Sequence, residues 1–333
     1  MSINNYILNK MKSKYVALAA LALALSACNN NDDTDGKVDT ESTEARFFGE
    51  INGATNRAAG TVWTKDDAIG ITGTSGNTTY TNIKYEYTGG NGILFTAVTS
   101  ANTIYYQNSN EVSFTAYYPF GGTEKDTPLE VTKTLTAADQ DATNKSVDGK
   151  FTPQSQIDFL YGTGKGQRTS NDGKVELKFE HKMSKLVLNF IQGDDVDLNG
   201  LTQYKLENLE MAGTFDAAQG TAAASDTQST TKTLTIQKDG GSFTDNRSSL
   251  ILFPQAVSTA TLTVTVGDNE YTATLQIPEK TAGSSGNGLE SGKSYTYNVT
   301  VSKKEISISK ADIIDWTEGI TVEGGGNVDA FLW

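Results

Sequence analysis

The sequence predicts an all-β protein, and three observations carry that prediction. Thr fills 45 of 333 positions, about one in seven, and its branched Cβ suits extended backbone. Apolar and polar residues alternate at period two through most of the chain. Helical periodicity is scarce, with room for one turn or two only between Leu198 and Met211. Strands that are apolar on one face need a second layer to cover them, so β-sandwiches are expected.

The first element is an address. Lys10, Lys12 and Lys14 precede an apolar run from Tyr15 to Leu25, too short to span a bilayer as a helix. The run ends in Leu25-Ser26-Ala27-Cys28, which resembles the lipobox of bacterial lipoproteins, so Cys28 is the expected lipidation site. The sole Cys of the chain stands at the one position that needs a thiol. Residues 1–27 are then a signal peptide, and Met11 makes a more typical signal start than Met1. Removing 1–27 takes away three lysines and no acid, leaving 24 basic and 40 acidic residues, net −16.

Residues 28–45 follow as an acidic tether. Asn29-Asn30-Asn31-Asp32-Asp33-Thr34-Asp35-Gly36 and the stretch to Glu44 hold one aliphatic residue, Val38, and cannot form a core. The tether reads either as a plain spacer or, by resemblance to Bacteroidales-type lipoproteins, as a surface-export signal.

Strands begin after it. Phe47 to Ile51 has the apolar content of a short first strand, and Asn52 to Asn56 reads as an exposed loop. Val112, Phe114, Ala116 and Tyr118 share one face, opposite Ser113, Thr115 and Tyr117. Gly162 to Gly173 is the most polar, glycine-dense stretch of the body, which places a linker and a domain boundary near residue 170. The expected domains are therefore 46–170 and 171–333, each a β-sandwich.

In the second half, Val175, Leu177, Phe179, His181 and Met183 keep odd parity before Leu186, Leu188 and Phe190 switch to even. That shift predicts a bulge or a strand break at Ser184-Lys185. Leu262, Val264 and Val266 lead through a Gly267-Asp268-Asn269 turn to Tyr271, Ala273, Leu275 and Ile277, a hairpin pattern. Tyr295, Tyr297, Val299 and Val301 repeat the alternation. The tail from Gly319 to Trp333 carries Ile320, Val322, Val328, Phe331, Leu332 and Trp333, enough apolar surface for a donor strand, although Gly324-Gly325-Gly326 interrupts it.

Composition narrows the function. A chain of net charge −13 is repelled by phosphate backbones, so no nucleic-acid partner is expected. One Cys and one His exclude disulfide frameworks and multi-Cys or multi-His metal centres, and no metal or cofactor is expected. Gly162-Thr163-Gly164-Lys165-Gly166 lacks the Ser or Thr that a phosphate loop needs after its Lys. Asp33 and Asp195 each open an acidic turn that mimics a calcium loop, yet Ser42 and Leu206 stand where the bidentate Glu belongs. His181, between Phe179 and Met183 on an apolar face, reads as a core or interface residue. No nucleophile motif or carboxylate pair stands out, so no enzyme is expected.

Seven segments resemble, in order, the fimbrillin family, specifically the Mfa-like (minor-fimbrillin-like) pilus lipoproteins of Bacteroidales-type bacteria. They are Val62 to Ile71, Phe114 to Pro119, Asp158 to Gly162, Phe179 to Leu186, Ile251 to Gln255, Gly292 to Val299 and Ile314 to Trp316. The resemblance implies two transthyretin-like β-sandwich domains in series and a structural subunit of a cell-surface fimbria, as stalk, anchor or tip. It implies export as an outer-membrane lipoprotein and a cut by an arginine-specific protease. That cut removes the first strand, and a neighbouring pilin fills the groove with a donor strand. Asn56-Arg57-Ala58-Ala59-Gly60 resembles the family's processing site, so the cut is expected after Arg57, with Arg46 the alternative. A rival reading is a surface glycan-binding lipoprotein of a polysaccharide-uptake system, which exposed Trp and Tyr platforms would favour.

Overall fold

The computed structural model describes residues 43–51, 63–89, 93–144, 149, 151–225, 232–241, 243–281 and 285–316. Among these residues the regular elements are strands and three-residue 3₁₀ turns. Leu198–Gly200 is one such turn and runs straight into the strand Leu201–Glu207, so no α-helix forms where sequence left room for one. Asp197, the middle acid of the second calcium-like turn, accepts a hydrogen bond from the Asn199 amide at 2.9 Å.

Seven strands of the first body close into a barrel. Its order is Lys174–His181, Arg46–Ile51, Leu94–Ala97, Thr78–Tyr87, Ala68–Ser75, Val112–Tyr118 and Leu160–Gly166, the last pairing back onto Lys174–His181. A sandwich was expected here. Closure follows because Leu160–Gly166 pairs on both sides, with Val112–Tyr118 and with Lys174–His181, so no edge is left between the layers. Phe47, Ile69, Ile71, Tyr85, Phe95, Phe114 and Phe179 fill the interior.

The glycine-dense stretch is therefore no linker over Gly162–Gly166: it is a barrel strand. Glycine is needed there for close approach rather than for flexibility. A Cβ on Gly162 would lie 2.9 Å from the Phe179 ring, and one on Gly164 would lie 2.5 Å from the Glu176 carbonyl oxygen. Strand pairing carries the barrel past residue 170 to His181. The chain then breaks at Lys182-Met183 and enters a different sheet at Ser184, which is the physical meaning of the parity switch.

The second body layers a six-stranded sheet on a four-stranded one. In the first, Ser184–Gln192 lies between Arg247–Leu252 and, in parallel, Lys293–Ser302. Glu305–Ile308 and Asp312–Asp315 share the far side of Lys293–Ser302. In the second, Leu201–Glu207 lies between Thr233–Gln237 and Thr259–Val266, which continues through the predicted hairpin into Asn269–Gln276. Leu186, Leu188, Tyr204, Leu250, Leu262 and Tyr297 meet between the sheets, each fully buried.

First-half residues also complete this second core. Tyr117, Leu135, Ile157 and Phe159 belong to it, and Phe159 stacks on Phe215 at 4.7 Å. Glu130–Thr134 pairs with Ala212–Asp216, whose other side carries Thr221–Ala224. The buried Gln140 amide acts as a backbone surrogate, donating to the Ile251 carbonyl at 2.9 Å and accepting from its amide at 2.8 Å. Such paired bonds satisfy a sheet edge that would otherwise be buried unbonded.

Candidate functional site

The strand Arg46–Ile51 reads Arg-Phe-Phe-Gly-Glu-Ile, and period two sends Phe47, Gly49 and Ile51 inward. Phe47 is fully buried and meets Tyr85 and Phe114 edge to face at 5.1 and 5.0 Å. Gly49 leaves the space that three rings need: a Cβ there would lie 2.7 Å from Phe95 and 3.1 Å from the Trp63 indole nitrogen. Trp63 in turn donates to the Gly49 carbonyl at 2.9 Å. Trp63, Phe95 and Phe179 interlock edge to face around this point, at 4.9 and 5.0 Å from the indole.

Main-chain bonding holds the strand on both sides. It runs parallel to Lys174–His181 over six residue pairs, from Arg46 to Ile51, and antiparallel to Leu94–Ala97 at Phe47 and Phe48. Upstream, the Ala45 amide donates to the Ile104 carbonyl at 2.9 Å, and Thr43–Glu44 pairs with Tyr105–Tyr106. Withdrawing this segment would bare two strand edges and an apolar slot. Reburying the Phe47 and Ile51 side chains is worth roughly 1.5–3 kcal/mol each.

Arg46 stands at the start of the strand. Its guanidinium lies 5.7 Å from the Phe48 ring, which Lys174 approaches from 4.9 Å, and 3.9 Å from the Asp172 carboxylate. Both members of that ion pair are solvent-exposed, so it contributes little. A cut after Arg46 would leave Phe47–Ile51 paired in the barrel. Arg57 lies outside the described residues, between Ile51, where the strand ends, and the buried Trp63. Cys28 and the Gly319–Trp333 tail also lie outside them.

Just after Trp63 comes a feature the sequence reading did not find. Asp67 is buried, accepts from the Thr64 amide at 2.5 Å and from the Tyr118 hydroxyl at 3.0 Å, and so closes the turn that enters the barrel. Burial pushes its carboxyl up to about 6, against the opposing pull of those hydrogen bonds. The Asp66-Asp67 pair was visible in the sequence, but nothing there says which acid turns inward.

His181 is buried, as its apolar neighbours suggested. Its Nδ1 lies 2.7 Å from an Asp158 oxygen, and its ring stacks on Trp316 at 3.8 Å. Lys185 sits 5.3 Å above the same indole, its ammonium pushed down to about 8 by burial. Trp63 and Trp316 are thus both core residues rather than exposed platforms. Among the described residues, no three His, Cys, Asp or Glu side chains gather as a metal site.

A family model described as Fimbrillin-like matches residues 56–316. Among solved structures, a candidate cell adhesion protein from Bacteroides ovatus is similar at 28% identity and a TM-score of 0.67, over 84% of this chain and 100% of that one. A second, from Bacteroides uniformis, is similar in fold at 24% identity and a TM-score of 0.62, over 83% of this chain and 99% of that one. No protein with a curated description matches.

Proposed function

The chain belongs to the Fimbrillin-like family, and on that premise we propose that it is a structural subunit of a cell-surface fimbria, assembled by protease-triggered donor-strand exchange. The observation that carries this reading is the Arg46–Ile51 strand, which is central in the barrel yet joined to the rest only through a segment containing Arg57. An arginine-specific cut after Arg57 frees residues up to 57 together with the strand. The exposed edges of Lys174–His181 and Leu94–Ala97 then require a replacement, because unpaired backbone beside an apolar slot is costly. A neighbouring subunit supplies it: main-chain hydrogen bonds give affinity, and alternate side chains in the Phe47 and Ile51 positions give register.

Lipidation at Cys28 and residence at the outer membrane before the cut belong to the same reading. So does a two-domain, transthyretin-like body, with residues 46–170 supplying six of the seven barrel strands and 171–333 the seventh and the second body. Two separate hydrophobic clusters support that division. In cells, Arg57→Ala is expected to give lipidated, surface-held monomers that never enter polymers, while Arg46→Ala has little effect. Normal polymers from Arg57→Ala would end the proposal.

A further inference from the structure

The second body carries an open cleft of about 540 Å³ that the strand-exchange reading does not use. One wall is the strand Thr221–Ala224, the terminal strand of its three-stranded sheet. Its Ser225 neighbour donates inward to Ala212, whereas the Ala224 amide donates outward to the Pro254 carbonyl at 2.9 Å. Alternation therefore turns the N–H and C=O of Ala222 outward as well, toward the cleft that Pro254 also lines. Ala222, Ala224 and Ala256 keep the walls low enough for another backbone to approach, and Leu289 adds an apolar patch.

The end of the described chain lies at this cleft. Trp316 is buried, and its amide donates to the Gly292 carbonyl at 2.7 Å. Leu289, Glu290 and Ser291, the residues just before Gly292, form a cleft wall. The segment Thr317–Trp333 thus starts beside the opening, and its 17 residues reach about 55 Å when extended. Its Gly319 to Glu323 portion alternates Ile320 and Val322 with Thr321 and Glu323.

Charge agrees with that origin. The charged residues of the segment, Glu318, Glu323 and Asp329, are all acidic, and Lys280 stands on the cleft rim. The rim carboxylates are already engaged: Glu210 pairs with Lys232, and Glu290 accepts from the Thr281 amide at 2.7 Å and hydroxyl at 3.0 Å.

We propose that Thr317–Trp333 of the same chain docks in this cleft, with Gly319–Glu323 adding a strand to the open edge of Thr221–Ala224. Ile320 and Val322 face Leu289 and Pro254, and Glu323 meets Lys280. The inference concerns the isolated subunit and stands whether or not the subunit polymerises.

Amide hydrogen exchange on the full chain and on a truncation after Glu318 tests it. The Ala222 amide is expected to exchange about tenfold or more faster in the truncation, with the barrel unchanged. Ala256→Arg, which fills the cleft from the wall opposite, is expected to speed Ala222 exchange in the full chain and to shift Trp333 emission to the red. Ala222 exchange that is equal in both chains would overturn the proposal. So would protection that vanishes on dilution, because the occupant would then be the tail of a second copy.

Discussion

Gly49 is the residue on which the first strand turns from a surface ribbon into part of a core. Its missing Cβ lets Phe95, Trp63 and Phe179 close over the backbone, and its carbonyl receives the indole proton. Gly49→Ala forces a methyl group to within 2.7 Å of the Phe95 ring. Overpacking of this kind costs about 1–3 kcal/mol, so thermal unfolding should show a midpoint lower by several degrees. An unchanged midpoint would mean that the ring yields freely. Asp67 makes a second prediction at this scale. Unfolded, its carboxyl titrates at 3.8; folded, burial raises it to about 6. Between those values the folded state binds the extra proton, so stability falls as pH rises from about 4 through 6, by up to about 3 kcal/mol. Urea titrations across that range should show the slope in the parent and lose it in Asp67→Asn. The same slope in both would assign it to other groups.

At the scale of elements, the first strand is held like a central strand, bonded on two sides, while covalently it is a terminal extension. A protein beginning at Ala58 should melt well below the full chain and recover on addition of a peptide spanning residues 43–52. The same peptide with Phe47→Ala and Ile51→Ala should fail, because it offers main-chain bonds without filling the slot. Equal rescue by both peptides would refute side-chain-directed insertion. The existence of this strand was legible in Phe47 to Ile51, since alternation is a local signal. Its parallel pairing with Lys174–His181 was not, because a partner more than a hundred residues away leaves no trace in local pattern. Gly162–Gly166 misled for a related reason. Its glycines are selected by Phe179 and the Glu176 backbone, contacts that only the folded barrel creates. Asp67 was hidden likewise, its burial being decided by the Thr64 turn and Tyr118.

For the whole molecule, the two bodies are laced together rather than strung on a hinge. Leu135, Ile157 and Phe159 finish the second core, and the Asp158–His181–Trp316 contact ties the end of the barrel to the last described strand. Such a body passes a pull along the chain without opening between its halves, which suits a subunit that bears load in a polymer. Its route to the surface depends on the thiol of Cys28. Cys28→Ser should abolish incorporation of labelled fatty acid and surface display, and a mutant that labels and displays normally would contradict the lipoprotein reading. The central claim, that removing the first strand readies the subunit for its neighbour, is tested most directly by N-terminal sequencing of subunits sheared from cells. The account predicts mature chains that begin at Ala58. Chains that begin at Phe47, with the Arg46–Ile51 strand still almost whole, would contradict it.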